Sequence, residues 1–148
     1  MKIEYFVKSF EELTTTELYQ ILKLRSDVFI VEQNCAYQDI DDKDLKCHHL
    51  MCLVDGKLAG YTRIVPTNLS YKDASIGRVV IGSEFRGLGF GKQLMENSIK
   101  ACEDIFKESK IRISAQLYLL KFYNSLGFKE TGNPYDEDGI PHIEMVLN

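Results

Sequence analysis

Apolar positions along this chain recur with two periods. From Thr14 to Val28 they fall at helical spacing, with Leu18, Ile21, Leu22, Arg25 and Val28 on one face, and Thr14-x-x-Glu17 is a capping box that starts the helix. Arg25 is the odd member of that apolar face. Strand-like runs occupy residues 2–8, His48–Val54 and 58–65; the last two are joined at Asp55-Gly56, a strong hairpin signal, and Pro66 ends the second. Residues 74–81 read as another strand and 82–89 as a loop. A helix follows whose buried side is Leu94, Met95, Ile99, Cys102 and Phe106. Residues 111–117 read as a strand, and Leu119, Phe122, Tyr123 and Leu126 line one face of a short helix that Gly127 can close. Residues 128–131 and 142–147 complete the chain as strands on either side of the turn-rich segment GNPYDEDGIP. The order β, α, several β, α, β, α, β, β predicts an α/β fold, a mixed and mostly antiparallel sheet flanked by helices, in one domain over residues 1–148.

Composition narrows the function classes. The chain has 148 residues, 45% of them hydrophobic and 27% charged, enough for an ordinary globular core. A net charge of -4 and a pI near 5.4 argue against nucleic acid or an anionic membrane as partner. The opening MKIEYFVKSF places Glu4 where a signal peptide needs apolar residues, and no run has the length of a membrane span. Cys35, Cys47, Cys52 and Cys102 are irregularly spaced and read as reduced thiols of a cytoplasmic protein.

The stretch RVVIGSEFRGLGFGKQLM holds the densest chemistry. Gly87, Gly89 and Gly91 are spaced G-x-G-x-G past mid-chain, which fails the G-x-G-x-x-G fingerprint of dinucleotide folds. Arg86 stands where a Walker A loop needs its first glycine, and Gln93 where it needs a hydroxyl. What remains is a strand, a turn and a helix N-terminus whose amides and dipole favour an anion, with Arg86 and Lys92 adding charge. A pyrophosphate suits it; a plain connecting turn is the alternative.

Arg86-Gly87-Leu88-Gly89-Phe90-Gly91 resembles the R/Q-x-x-G-x-G/A motif of the GNAT superfamily of acyl-CoA-dependent N-acyltransferases, with Ser83 where many members carry proline. The resemblance implies that this turn and Lys92 bind the pyrophosphate of coenzyme A and that Val79, Val80 and Ile81 flank its pantetheine arm. AQLYLLKFYNSLGFKETG is similar to the family's second signature, which implies that Phe122 and Tyr123 lie by the thioester and that Tyr123 protonates the departing thiolate. LRSDVFIVEQNCAYQDIDDKD, the Cys-His-His-Leu-Met run, GYTRI, IGRVV and the closing Tyr-Asp-Glu-Asp-Gly-Ile-Pro-His-Ile extend the likeness to the ElaA-like subgroup over almost the whole chain.

Acyl transfer to an amine needs a base for the amine proton and a donor for the developing oxyanion. Glu32, His49 and His142 are candidate bases, Glu32 and His49 the leading ones and His142 also a substrate contact. Arg25, Arg63 and Arg78 sit in apolar elements, where an arginine needs a carboxylate: either a structural ion pair with Asp41 or Asp44, or a charged pocket for a polar acceptor. A similar layout of helix arginine, acidic pair, histidine and strand arginine occurs in acyl-homoserine-lactone synthases, as an analogy for the pocket. The acidic loop from Asp39 to Asp44 reads as solvated; it lacks the glycine of an EF-hand, and Cys47, His48, His49 and Cys52 lack a second ligand pair, so no metal is expected. The expected activity is transfer of acetyl from acetyl-CoA to an amine acceptor of a small molecule or peptide, with no further cofactor. A homodimer is compatible with the sequence. The competing readings are an acyl-CoA-binding module without turnover and an interaction domain that binds nothing at the glycine turn.

Overall fold

The computed structural model describes residues 1–148. Strand β1 (Ile3–Ser9) leads through a 3-10 turn into α1 (Thr15–Arg25), where Thr14 Oγ1 accepts from the Glu17 N–H and the Glu17 carboxylate accepts from the Thr14 N–H, the predicted capping box. Beyond Arg25 the helix widens into a π-type segment over Ser26–Glu32, with Gln33 N–H bonded to the Val28 carbonyl and Cys35 N–H to that of Ile30. Strands β2 (His48–Val54) and β3 (Lys57–Val65) form the expected hairpin; Asp55 and Gly56 both have positive φ, +50° and +80°, as a type I′ turn requires.

Strand β4 (Ser75–Ile81) completes a four-stranded antiparallel sheet in the order β1-β2-β3-β4. Helix α2 (Phe90–Phe106) returns to β5 (Ile111–Gln116), and α3 (Leu120–Ser125) leads to β6 (Lys129–Glu130), β7 (Tyr135–Glu137) and β8 (Ile140–Leu147). These last strands make a second sheet, with β8 between β5 and β6 and β7 also paired to β8. The segment read as turns therefore holds a short hairpin closed by Asp138-Gly139, with φ of +53° and +81°.

Alternation splits the first sheet between two layers. Leu50 and Cys52 join Leu94, Met95 and Cys102 of α2 in the larger core, while Met51, Tyr61 and Val80 meet Ile21, Val28 and Phe29 on the opposite face. The two sheets touch through one parallel bridge, Ala74 to Ile111, supported by Arg112 N–H bonding the Ala74 carbonyl at 2.9 Å. Past that bridge β4 and β5 diverge. In β4, Arg78 and Val79 together oppose Thr62 of β3, and Arg78 adopts φ +50°, so a bulge bends β4 away and leaves its far edge unpaired.

Candidate active site

The gap between the diverging strands is a cleft of about 760 Å³, within the range of small-molecule sites. Val79, Val80 and Ile81 line one side of it along the edge of β4 that no strand pairs, where an extended guest can add, although the Ile81 carbonyl already accepts from Arg86 Nε. At its end lies the glycine turn. Gly87 and Gly89 have φ of +78° and +83°, and a Cβ built on either meets nothing within 4 Å, so the turn is open toward solvent. Gly89 caps α2 with no side-chain bond, and the first turn of α2 has no acidic residue. Its leading amides thus have no side-chain cap and stand at the edge of the cleft, where an anion can dock.

Arg86, Gly87, Gly89, Phe90 and Gly91 all border the cleft; Leu88 and Lys92, which the sequence also pointed to, do not. Leu88 projects outward with 58% of its surface exposed. The Arg86 guanidinium donates from Nε to the Ile81 carbonyl and from Nη2 pairs with Glu32 Oε2 at 2.7 Å. A base candidate and a phosphate candidate are therefore joined to each other, both about two-fifths exposed at 42% and 43%.

Phe122 and Tyr123, from α3, close the cleft on the β5 side. Tyr123 is 5% exposed and packs edge-on against Phe122 and Phe128. Burial pushes its phenol up, so it holds its proton at neutral pH.

The other wall contains a buried ionic cluster. Arg25 is fully buried and donates to Asp39 Oδ2 at 2.9 Å, to Asp44 Oδ1 at 2.9 Å and to the Asp39 carbonyl at 2.8 Å. Arg63 bonds Asp41 Oδ1 at 2.7 Å and Asp44 Oδ1 at 3.0 Å. Arg78 bonds the Asp39 carbonyl and Asp41 Oδ2, while its Nε stands 2.9 Å from Asp39 Oδ1, too far off line for a hydrogen bond. Three guanidiniums thus balance three carboxylates. The loop expected to be solvated is instead folded inward, with Asp39 and Asp44 buried. Arg25 does not reach the cleft, because its donors are spent on that loop; Arg63 and Arg78 do border it.

His49 also lies outside the cleft. Its Nε2 is 2.9 Å from the Asp44 carbonyl, which can only accept, so Nε2 carries the hydrogen and Nδ1 accepts from the Tyr61 hydroxyl at 2.6 Å. Both nitrogens are consumed by the fold, and burial holds the ring neutral. The strand alternation that sends His49 inward sends it under the loop rather than to solvent-filled space. His142 does border the cleft, beside Glu137 and Gln116. Glu137 was missed by sequence reasoning; the Asp138-Gly139 turn was the signal, since it sets a hairpin that brings Glu137 opposite Ile140. The four cysteines are buried and unpaired.

A cleft with an open strand edge, a bare helix N-terminus and a buried phenol suits an extended ligand with a phosphate end and a reactive end. The family model for the acetyltransferase (GNAT) domain matches residues 14–148. A UPF0039 protein of Schizosaccharomyces pombe is 43% identical over 147 residues, 98% of this chain and 97% of that one. Protein ElaA of Escherichia coli is 39% identical over 137 residues, 91% of this chain and 90% of its own. Among solved structures, an acyl-CoA N-acyltransferase from Pseudomonas aeruginosa matches with a TM-score of 0.94 at 40% identity, covering 99% of this chain and 100% of that one. The crystal structure of Escherichia coli ElaA matches at 0.92 and 37% identity, covering 99% and 100%. On these matches, which take in the glycine turn and both walls of the cleft, the chain belongs to the GNAT acetyltransferase family.

Proposed function

We propose that residues 1–148 act as one catalytic domain that transfers an acyl group, acetyl first among the candidates, from a coenzyme A thioester to a primary amine of a small molecule or peptide. The observation that carries this reading is the uncapped N-terminus of α2, with left-handed Gly87 and Gly89, opening onto the same cleft as the buried Tyr123. The amides of Gly89, Phe90 and Gly91, with Arg86, hold the pyrophosphate. Val79, Val80 and Ile81 flank the pantetheine arm along the open edge of β4, and Phe122 packs beside its end. Tyr123 gives its proton to the departing sulfur. Arg63 and Arg78, held by Asp41 and Asp39, shape the polar wall where the acceptor sits. Buried, unpaired thiols, with Cys47 pushed up to about 11 and Cys102 to about 12 by burial, suit work in the reducing cytoplasm.

The test is thermal unfolding with acetyl-CoA, coenzyme A, NAD and ATP. A ligand at 100 times its Kd adds about 2.7 kcal/mol, several degrees in a domain of this size. A shift with the coenzyme A species alone supports the reading, and no shift with them at millimolar concentration removes it.

A further inference from the structure

His142 is the one histidine of the cleft, and the fold leaves one of its nitrogens uncommitted. Its Nδ1 is 2.7 Å from the Ile140 carbonyl, an acceptor only, so Nδ1 carries the hydrogen and Nε2 presents its lone pair. That Nε2 stands 3.3 Å from Glu137 Oε2, with the imidazole side chain 9% exposed and the carboxylate 49% exposed. A lone pair and a carboxylate facing each other repel; a proton between them, or an ammonium seated to one side within reach of both, satisfies them through charge-assisted hydrogen bonds.

The surroundings hold this arrangement still. Tyr135 stacks on the imidazole at 6.3 Å and 27°, and its hydroxyl bonds Ser114. Cys35 Sγ donates to the Asp138 carbonyl, tying the hairpin turn to the π-type segment's end. Across the sheet His142 pairs with Gln116, the last residue of β5, four positions before the start of the helix that carries Tyr123. Of the other carboxylates lining the cleft, Glu32 is engaged by Arg86 and Asp41 by Arg63 and Arg78, while Asp138 sits at the tip of the hairpin turn.

We infer that Glu137 and His142 form the subsite for a protonated primary amine, Glu137 drawing in the ammonium and His142 Nε2 taking its proton. This deepens the acyltransferase reading and rests on it. The ammonium loses one proton to Nε2, which later passes it to solvent. The neutral nitrogen then bonds to the thioester carbon as the carbon–sulfur bond breaks; Tyr123 protonates the leaving sulfur and regains a proton from the new amide nitrogen. His142 is a catalytic residue in this scheme, oriented by the Ile140 carbonyl, and Glu137 binds the substrate ammonium.

The experiment compares two acceptor probes of similar shape, benzylamine, which is protonated at neutral pH, and O-benzylhydroxylamine, which is not. His142→Gln is expected to cut acetyl transfer to benzylamine roughly 100-fold, the usual weight of a positioned base, and transfer to O-benzylhydroxylamine by no more than about threefold. Glu137→Gln, at a half-exposed site that tolerates the change, is expected to raise KM for benzylamine selectively. The imidazole NMR signals of the three histidines supply a readout without turnover: benzylamine with coenzyme A should perturb His142 alone, and Glu137→Gln should abolish this. Equal loss with both probes in His142→Gln, or a silent His142 signal in protein that still gains thermal stability from coenzyme A, overturns the subsite and leaves the donor reading standing. No thermal response to coenzyme A overturns both.

Discussion

Replacing Asp44 with asparagine keeps the shape of the side chain and removes one charge from a set of three arginines and three aspartates of which Arg25, Arg63, Asp39 and Asp44 are buried. The carboxylate accepts from Arg25 Nη1 at 2.9 Å and Nη2 at 3.2 Å and from Arg63 Nη1 at 3.0 Å, with its side chain 7% exposed. Removing one partner of a buried ion pair costs about 3–5 kcal/mol, and the lower end applies because the amide keeps one acceptor oxygen. At about 2–4 °C per kcal/mol for a chain of this length, a loss of about 3 kcal/mol lowers Tm by roughly 6–12 °C at neutral pH. Burial alone pushes the Asp44 carboxyl up; the bonds and charges of Arg25 and Arg63 overcome this and hold it below the usual carboxylate range. Its stabilisation is therefore complete above the unfolded-state value, about pH 4, and is lost as pH falls through the lower folded-state value. Circular-dichroism melts from pH 3 to 8 should show a constant gap between wild type and variant above about pH 5 that narrows in acid. Asp104→Asn, which breaks only the exposed pair with Lys100, is the control and should not move Tm measurably. A shift in Asp44→Asn no larger than the control's, or a gap that widens on acidification, refutes the reasoning.

Gly89→Glu places a side chain at φ +83° and a negative charge against the bare helix end, so the thermal gain from coenzyme A, about 2.7 kcal/mol at 100 times Kd, should vanish; a retained shift relocates the phosphate site. Tyr123→Phe should lower kcat by roughly 100-fold while coenzyme A still raises Tm as in wild type, and an unchanged kcat assigns the thiolate's proton to another donor. Glu32→Gln frees Arg86 from a competing carboxylate, so calorimetry should find coenzyme A bound up to about fivefold more tightly at low salt, the ceiling for an exposed pair, with pantetheine unaffected. Weaker binding of coenzyme A to this variant would show that Glu32 helps aim Arg86 rather than competing for it.

Much of the chain is legible without coordinates because local rules and burial agree. The Thr14–Glu17 box and the Asp55-Gly56 turn each demand one local geometry, and the hairpin registers follow. The glycine turn is legible for the same reason, since φ near +80° at two positions leaves few residue choices. The rest depends on distance in the fold. Whether Arg25 faces a pocket or a carboxylate turns on where residues 39–44 fold, and no periodicity reports that a charged loop tucks inward to neutralise a helix. His48 and His49 alternate as a strand requires, yet only the placement of Asp44 and Tyr61 shows that both His49 nitrogens are taken. Glu137 escaped notice because a three-residue strand carries no pattern of its own, even though the Asp138-Gly139 turn beside it is the same signal that marks the first hairpin.

The bulge at Arg78 bears on more than the shape of the cleft. An unpaired strand edge normally invites pairing with a strand from another molecule, and proteins blunt such edges with charge, proline or a covering loop. Here the unpaired edge of β4 faces the second sheet across the cleft, the two sheets staying joined at Ala74 and Ile111, so β5 stands where an incoming strand would have to lie. A single flexible chain of amide groups fits where a folded strand does not. The same bend that opens the sheet therefore filters its partners by thickness, so that the molecule keeps a reactive edge available to a small thread of peptide-like chemistry while withholding it from aggregation.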